Sequence, residues 1–337
     1  MALLREIIGH DQNIKALQGA LASGRVAHAY LFSGPRGVGK LTAATAFARA
    51  LVCSRPAEGD GCGECADCGR VDQGSHPEVR IIRPQGATVK IAQVREMVAG
   101  VQFGPAAGRW TVRIVEEAGA MTAEAANSLL KTLEEPLPGV VFVLVTTRPQ
   151  ALLSTILSRC QHLYFQPLQK QQVVRGLAGL TGAGGEEAQL AASLAGGSLG
   201  KALDLLSGGL SLRDRALGLV QGLAAAGLEE AMGLAAELSA ARDDLPSLLD
   251  LMVLWFRDIL LYNETGNPGH LINSDRQGEI GDLAGNYTTG RLLEMISATE
   301  LAKGRIEASA NVQLALEALF LRLAGYCPGV ARREEVI

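Results

Sequence analysis

The sequence predicts an α/β domain with a parallel sheet and flanking helices, followed by a small helical lid and an all-α C-terminal domain. Three observations indicate this order. Short apolar runs alternate with helical stretches in the first half, a glycine-rich loop joins the first apolar run to a helix, and strand signals fade after Pro167. At 337 residues the chain is long enough for several cores. We expect domains at residues 1–167, 168–207 and 208–337.

The elements of the first domain are read from apolar runs that suit buried strands and from alanine- and leucine-rich stretches that suit helices. The alternation of the two types places strands side by side in one direction, with helices covering both faces. The predicted strands are Ala29–Ser33, Trp110–Val115, Val140–Thr146 and His162–Phe165, and the predicted helices run from Lys40 to about Leu51 and from Thr122 to Leu133.

The second half of the chain reads as helical. Residues 168–207 suggest short helices broken by glycines at 182–185 and 196–200. The long Ala/Leu stretches at 222–241 and 292–324 suggest a helical C-terminal domain. We expect the polar interruption at about 263–290 to be a loop.

Composition excludes some classes of function. A formal net charge of -4 argues against a surface dominated by nucleic-acid binding, and an aromatic content of 4% argues against base-stacking platforms. The N-terminus, MALLREIIGHDQ, has charges where a signal peptide needs an apolar core, and no later run reaches the length of a membrane span. We therefore expect a cytoplasmic protein without a membrane partner.

The segment GPRGVGKLT, residues 34–42, has the glycines and lysine of a phosphate-binding loop. In such a loop, glycines let backbone N–H groups converge on the phosphates at a helix N-terminus, and the lysine adds a positive charge. Gly34, Gly37, Gly39 and Lys40 supply these parts between a predicted strand and a predicted helix. A glycine turn that merely precedes a lysine is the alternative. We predict a site for ATP or ADP with Mg²⁺.

The catalytic parts of this site depart from those of an ATPase. Leu41 follows Lys40 where a Ser or Thr hydroxyl would bind Mg²⁺, and Thr42 is rotated about 100° further around the helix. Glu116 and Glu117 follow the second predicted strand, where the first acid would orient Mg²⁺ and the second would activate water. Glu116 is longer than the usual Asp, and both could simply be solvated acids. We expect hydrolysis to suffer more than binding.

Four cysteines cluster in the segment CSRPAEGDGCGECADC, which we interpret as an insertion at residues 53–68. Tight C-x2-C spacing brings thiolates to one metal ion, and four thiolates close a tetrahedral zinc site. The zinc would be structural; redox thiols and an iron–sulfur cluster are the alternatives. The ligands would be Cys53, Cys62, Cys65 and Cys68. Cys160 and Cys327 lie outside the cluster and are expected to be ordinary buried cysteines.

Together these segments resemble the subunits of the bacterial DNA polymerase III clamp loader, an AAA+ assembly, and among them the delta prime type. The resemblance covers most of residues 1–170. The matching stretches, besides the four cysteines, are HAYLFSGPRGVGK (28–40), SHPEVRII (75–82), MTAEAANSLLKTLEEP (121–136) and LLSTILSRCQ (152–161).

The resemblance implies a role for Arg159. Ser158-Arg159-Cys160 matches the family's SRC motif, whose arginine reaches into the ATP site of a neighbouring subunit. There its planar, permanently charged guanidinium would act as an arginine finger against the γ-phosphate. Without the resemblance, Arg159 would be read as a surface residue before a strand.

The resemblance also implies two sensor positions. The segment GGSLGKALDLL (196–206) has Gly200 where a sensor arginine is expected, with Lys201 beside it. Lysine lacks the planar fork of arginine. The polar sensor after the third predicted strand is Thr146 or Thr147.

With Leu41, Glu116 and Gly200 all departing from the motor pattern, the resemblance implies a stator with weak or absent ATPase activity of its own. It would belong to the DNA-directed DNA polymerase holoenzyme, with the gamma/tau and delta subunits, the sliding clamp and primed DNA as partners through the assembly. Its helical C-terminal domain, residues 208–337, would hold that oligomer together. Two alternatives stay open at this point: an ATP-hydrolysing motor of the gamma/tau type, and a zinc-based nucleic-acid-binding module.

Overall fold

The computed structural model describes residues 2–101, 104–105, 108–240, 244–308 and 311–325. Contacts divide the chain into two compact units. The sheet unit comprises residues 1–184 and 195–201, and the helical unit comprises residues 185–194 and 202–337. The predicted division into three domains is a finer one that this grouping does not test, so it stays a prediction.

One sheet of five parallel strands forms the centre of the sheet unit. The strands are β1 (Ala29–Ser33), β2 (Val79–Ile82), β3 (Thr111–Val115), β4 (Val140–Thr146) and β5 (Gln161–Tyr164). Their order in the sheet is β2-β3-β4-β1-β5. The predicted α/β architecture is confirmed. The bounds of β1 and β4 are as predicted, those of β3 and β5 differ by one residue, and the edge strand β2 was not predicted.

Both faces of the sheet are covered, as the alternation of side chains along β4 shows. Val141, Val143 and Val145 belong to a core with Phe47 of the helix after β1. The residues between them, including Phe142, belong to a second core on the other face. Because successive side chains of a strand point to opposite faces, an uninterrupted apolar run is what a doubly covered strand requires.

The helices follow the strands in alternation and then continue alone. In the sheet unit they are α1 (Asp11–Ser23), α2 (Lys40–Val52), α3 (Ala66–Asp72), α4 (Ile91–Ala99), α5 (Ala123–Glu134), α6 (Ser154–Leu157) and α7 (Lys170–Thr181). Later helices are α8 (Gly185–Leu194), α9 (Leu199–Asp204), α10 (Leu210–Ala225), α11 (Leu228–Ala240), α12 (Leu245–Thr265), α13 (Gln277–Ala284), α14 (Thr289–Glu307) and α15 (Val312–Leu323). No helix among the described residues is long and apolar enough to cross a membrane.

The prediction that the second half of the chain is helical is confirmed, but the bounds of the predicted helical stretches and of the predicted loop differ from the structure. The stretch predicted as helical at 222–241 contains the break between α10 and α11, and the stretch at 292–324 contains the break between α14 and α15. The loop predicted at about 263–290 is wrong in part, because α13 lies within it. Ile280 and Leu283 of that helix are buried, so the polar composition of the segment belongs to its exposed side.

A buried polar network fixes the chain between α12 and α13. The carboxylate of Asp258 is fully buried and accepts hydrogen bonds from the backbone N–H of Asn273 at 2.7 Å and from its side chain at 2.9 Å. The guanidinium of Arg213 donates to Asn273 Oδ1 at 2.8 Å and forms a two-point contact with Asp275. Trp255 donates to the Arg213 carbonyl at 3.2 Å. Asp258, Asn273 and Arg213 thus connect α12, the segment before α13 and α10.

Asp258→Ala is therefore expected to destabilise the helical unit by about 3–5 kcal/mol, because it leaves buried donors without an acceptor. Urea unfolding followed by Trp255 fluorescence, in a Trp110→Phe background, measures this. Asp282→Ala, at an exposed position of α13, is the matched control, with an expected change under about 0.5 kcal/mol. Equal midpoints for the two variants would contradict the prediction.

Candidate functional site

The phosphate-binding loop, residues 34–39, leaves the carboxyl end of β1 and ends where α2 begins at Lys40. Gly34, Gly37 and Gly39 have φ values of 143°, 75° and 100°. These values lie in a region that side chains strain. A Cβ on Gly34 would also lie 2.1 Å from the carbonyl oxygen of Phe165. The conformation of the loop thus explains all three glycines.

The ammonium group of Lys40 is turned into its own loop. The residue is buried, and Nζ donates to the carbonyl oxygens of Gly34 at 2.7 Å and Pro35 at 2.6 Å. Burial lowers the pKa of Lys40, while the charge of Glu117 acts in the opposite direction. A phosphate that used this lysine would have to replace the two carbonyl contacts.

The loop is covered by the segment that the sequence assigned to a sensor. The backbone N–H of Gly200 donates to the carbonyl oxygen of Gly37 at 2.9 Å. A Cβ on Gly37 would lie 2.2 Å from Ser198 Oγ, and a Cβ on Gly200 would lie 3.1 Å from Gly37 Cα. Gly200 therefore permits a close backbone contact that an arginine would disturb. The N–H of Lys201 donates to Ser198 Oγ at 3.1 Å.

The start of α2 provides no hydroxyl where Mg²⁺ is normally bound. Leu41 is half-buried and packs against the apolar core that contains Phe47. Thr42 is exposed. The structure thus brings an aliphatic side chain, rather than a ligand, to the position after the lysine.

The acid pair follows β3 and has two different environments. Glu116 Oε2 accepts from Arg83 Nε at 3.0 Å. Glu117 has a left-handed backbone conformation, with φ of 50°, and its Oε2 accepts from Thr147 Oγ1 at 3.1 Å. Thr146 is buried, and its hydroxyl accepts from a backbone N–H at 3.0 Å. Of the two threonines, only Thr147 has a recorded hydrogen bond to an acid of the pair.

Arg159 lies between α6 and β5, and its guanidinium is held from within the sheet unit. Nη2 is 2.8 Å from Oε1 of Glu134, the last residue of α5. Nη1 donates to the carbonyl oxygen of Thr155 at 2.9 Å and to Ser158 Oγ at 3.3 Å. The side chains of Arg159 and Glu134 remain 34% and 49% exposed.

Arg159 and the phosphate loop lie at opposite ends of the strands. Strands β1 and β5 are parallel neighbours, with Tyr30 opposite Gln161 and Ser33 opposite Tyr164. The loop follows the carboxyl end of β1, whereas Arg159 precedes the amino end of β5. At about 3.3 Å per residue, the paired length alone spans roughly 10 Å. Arg159 therefore cannot reach a phosphate in the loop of its own chain.

The four clustered cysteines form a group whose sulfur atoms all lie within 4.8 Å of one another. Individual sulfur–sulfur distances are 3.6 Å for Cys53–Cys62, 3.8 Å for Cys53–Cys65 and 3.9 Å for Cys62–Cys68. A tetrahedron with metal–sulfur bonds of about 2.3 Å has edges of about 3.8 Å. The cluster therefore has the dimensions of a four-thiolate metal site.

The pKa values of the four clustered cysteines shift in different directions. Burial raises the pKa of Cys53 and of Cys68. Burial would raise the pKa of Cys65 too, but hydrogen bonds from Ser54 and Cys68 outweigh it and lower that pKa to about 5. Backbone N–H groups lower the pKa of Cys62. Four thiolates this close repel one another, and a divalent cation removes that repulsion.

Cys160 is not among the four clustered cysteines. Burial raises the pKa of the half-buried Cys160 to about 11, so its thiol stays protonated at neutral pH. Cys327 lies outside the described residues.

Asp60, which the sequence did not single out, ties the cysteine insertion to the N-terminal segment. Its buried carboxylate accepts from the N–H groups of Leu4 at 3.2 Å and Arg5 at 3.0 Å, and from that of Gly61 at 2.7 Å. The contacts of Asp60 with Leu4 and Arg5 thus anchor the insertion to the N-terminal segment of the sheet unit. No local signal distinguishes Asp60 in the sequence, because its partners Leu4 and Arg5 are 56 and 55 residues away along the chain.

Two regions of the chain match known families. Residues 9–169 match the family described as DNA polymerase III, delta subunit. Residues 219–325 match DNA polymerase III, delta subunit, C terminal. The two matches thus lie in the region of the phosphate loop and in the helical region.

Curated relatives give the same result. The chain is 32% identical over 324 residues to DNA polymerase III subunit delta prime of Bacillus subtilis, a match that covers 92% of this chain and 94% of the relative. It is 43% identical over 136 residues to subunit delta prime of Pseudomonas aeruginosa, covering 40% of this chain and 42% of the relative. It is 33% identical over 282 residues to subunit tau of Bacillus subtilis, covering 76% of this chain but 50% of tau.

Proposed function

This chain belongs to the delta prime subunit family of DNA polymerase III, and on that premise we propose that it is a stator of the clamp loader. It supports the assembly and supplies Arg159 to the ATP site of a neighbouring subunit while the sliding clamp is loaded onto primed DNA. The observation that carries this proposal is the position of Arg159. It is partly exposed at the amino end of β5, away from its own loop at the carboxyl end of β1. Such a finger acts only in trans.

In this proposal the phosphate loop is chiefly a scaffold. Its lysine is engaged by the loop carbonyls of Gly34 and Pro35, and Gly200 lies directly against Gly37. A nucleotide, as ATP or ADP with Mg²⁺, would be held by the loop glycines, Lys40 and Thr42. Glu117 is then a weak candidate for activating water, with Thr147 as the polar sensor beside it. Hydrolysis at this site would be slow or absent.

The family match does not favour the two alternative functions, and the motor alternative has a direct test. We expect Lys40→Ala to change the DNA- and clamp-stimulated ATP hydrolysis of a reconstituted loader by less than about twofold, because hydrolysis at this chain's own site is slow or absent in the proposal. Assembly of the variant is confirmed first, and Lys15→Ala, at an exposed position of α1, is the matched control. A large loss confined to Lys40→Ala would instead identify this chain as a motor.

We further propose that the cysteine cluster holds one structural Zn²⁺. The observed sulfur–sulfur distances support this, since they match the edges of a tetrahedral four-thiolate site. Four protein ligands leave no open position, so the zinc would stabilise the insertion and take no part in a reaction. The ion would cross-link the four cysteines, which are otherwise joined by the loops of the insertion.

Membership of the same family supports a proposal about the partners and the cellular location. We propose that the gamma/tau and delta subunits are direct neighbours, and that contact with DNA is made through the assembly. A cytoplasmic location fits a replication protein of this kind.

A further inference from the structure

The guanidinium that would serve a neighbouring subunit already has an anionic partner in its own chain. Glu134 and Arg159 come from different elements, the end of α5 and the turn after α6. Their contact of 2.8 Å uses Nη2 of the arginine, while Nη1 is used by the carbonyl of Thr155. Both terminal nitrogens thus have an acceptor before any phosphate arrives.

The two acceptors differ in what they contribute. The Thr155 carbonyl is neutral and belongs to the backbone of the same turn, so it orients the side chain. Glu134 carries a negative charge that offsets the charge of the guanidinium. A phosphate oxygen binds the same N–H fork in the same planar geometry as a carboxylate. Phosphate and Glu134 therefore compete for one end of Arg159.

Exposure decides the direction of this competition. Glu134 is 49% exposed and Arg159 is 34% exposed. Ion pairs at this level of exposure contribute little, because water solvates the separated charges well. A nucleotide triphosphate would offer more negative charge than one carboxylate. The pair with Glu134 is strong enough to position Arg159 and weak enough to be exchanged.

We propose that Glu134 is a positioning residue. It holds the guanidinium of Arg159 in an ion pair until the phosphate of a nucleotide in the neighbouring subunit replaces the carboxylate. This inference rests on the function proposed above, in which Arg159 acts in trans. It assigns to the end of α5 a contribution to nucleotide affinity at a site on another chain.

The test is the affinity of the reconstituted clamp loader for a fluorescent, non-hydrolysable ATP analogue. Glu134→Gln keeps the size of the side chain and removes its charge. It is expected to tighten binding at the served site by about 2- to 5-fold, since the competing ion pair is weak. In an Arg159→Ala background the same change is expected to have no effect, because a double-mutant cycle isolates the pair. Structural damage at the end of α5 would not tighten binding.

Glu135→Gln is the matched control. Glu135 is exposed and follows Glu134 directly, so its substitution removes the same charge at the neighbouring position. Affinity unchanged by this control supports the inference. Equal tightening by both variants would show a general effect of charge and overturn it. No change, or weaker binding, with Glu134→Gln also overturns it.

The Arg159→Ala variant separates this inference from the proposed function. If Arg159→Ala weakens analogue binding or slows hydrolysis while Glu134→Gln has no effect, the trans role of Arg159 survives and only the positioning role of Glu134 is lost. If Arg159→Ala has no effect in an assembled loader, the proposed function fails, and this inference fails with it.

Discussion

Arg159→Ala is expected to slow ATP hydrolysis at one site of a reconstituted clamp loader by about 10³-fold or more. The reason is that the planar guanidinium would stabilise charge as it develops on the γ-phosphate of a nucleotide in the neighbouring subunit. Single-turnover measurement with DNA and the clamp present is the appropriate readout. The amplitude of the fast kinetic phase should fall by the share that one ATP site contributes, whatever the number of sites in the assembly.

Two further variants make this result specific. Arg159→Lys keeps the charge but loses the fork, so an intermediate rate is expected. Arg175→Ala, at an exposed arginine of α7, is the matched control and should leave every phase unchanged. Full fast amplitude in an Arg159→Ala loader that has assembled normally would rule out the arginine finger.

The topology of the sheet is why this prediction concerns another chain's site. In a parallel sheet the carboxyl ends of all strands lie on one side, and the segments that enter the strands lie on the other. The loop after β1 lies on the side of the carboxyl ends. Glu134, which precedes β4, and Arg159, which precedes β5, lie on the side of the amino ends. The fold thus presents the phosphate loop on one side of the sheet and Arg159 on the other.

The sequence predicted best those elements whose signal is local. β1 and β4 are uninterrupted apolar runs, and the structure gives them the predicted bounds. β2 was missed because it is a short edge strand in which Arg80 is exposed, so its apolar pattern is broken. α13 was missed because glycines and acids on its exposed side hide the apolar positions, Ile280 and Leu283.

The same distinction holds for the site. The glycines of the loop and the cysteines are recognised from spacing along a few residues, and the structure brings each set together. The pairs Glu134–Arg159, Glu117–Thr147 and Asp60–Leu4 join elements that are distant in sequence. Each member alone is an ordinary charged, polar or apolar residue. Only the folded sheet unit brings them into contact.

Removal of metal from the cysteine cluster is expected to unravel the insertion. The purified chain should contain about one zinc ion, and structural zinc sites of this type bind with apparent free energies on the order of 10–16 kcal/mol. Cys65→Ser and Cys68→Ser should each lose the metal, because three thiolates and a hydroxyl do not make the four-thiolate site. Elemental analysis after gel filtration measures this. Cys160→Ser is the matched control and should keep its zinc.

The structural consequence of metal loss has a defined extent. The helix α3 begins at Ala66, directly after Cys65, and contains Cys68. Asp60 holds Leu4 from within the same insertion. Hydrogen exchange after chelation should therefore lose protection in α3 and in the N-terminal segment, while the interior strands of the sheet keep theirs.

The alternatives to zinc give different outcomes in these experiments. An iron–sulfur cluster would bring iron and visible absorbance, and redox thiols would give disulfides in the oxidised, metal-free chain. Sulfur–sulfur distances of 3.6 and 3.8 Å from Cys53 are those of separate ligands around one ion. A metal-free chain whose exchange pattern equals that of the purified protein would show that the cluster needs no ion. The insertion would then rest on Asp60 and on the packing of α3 alone.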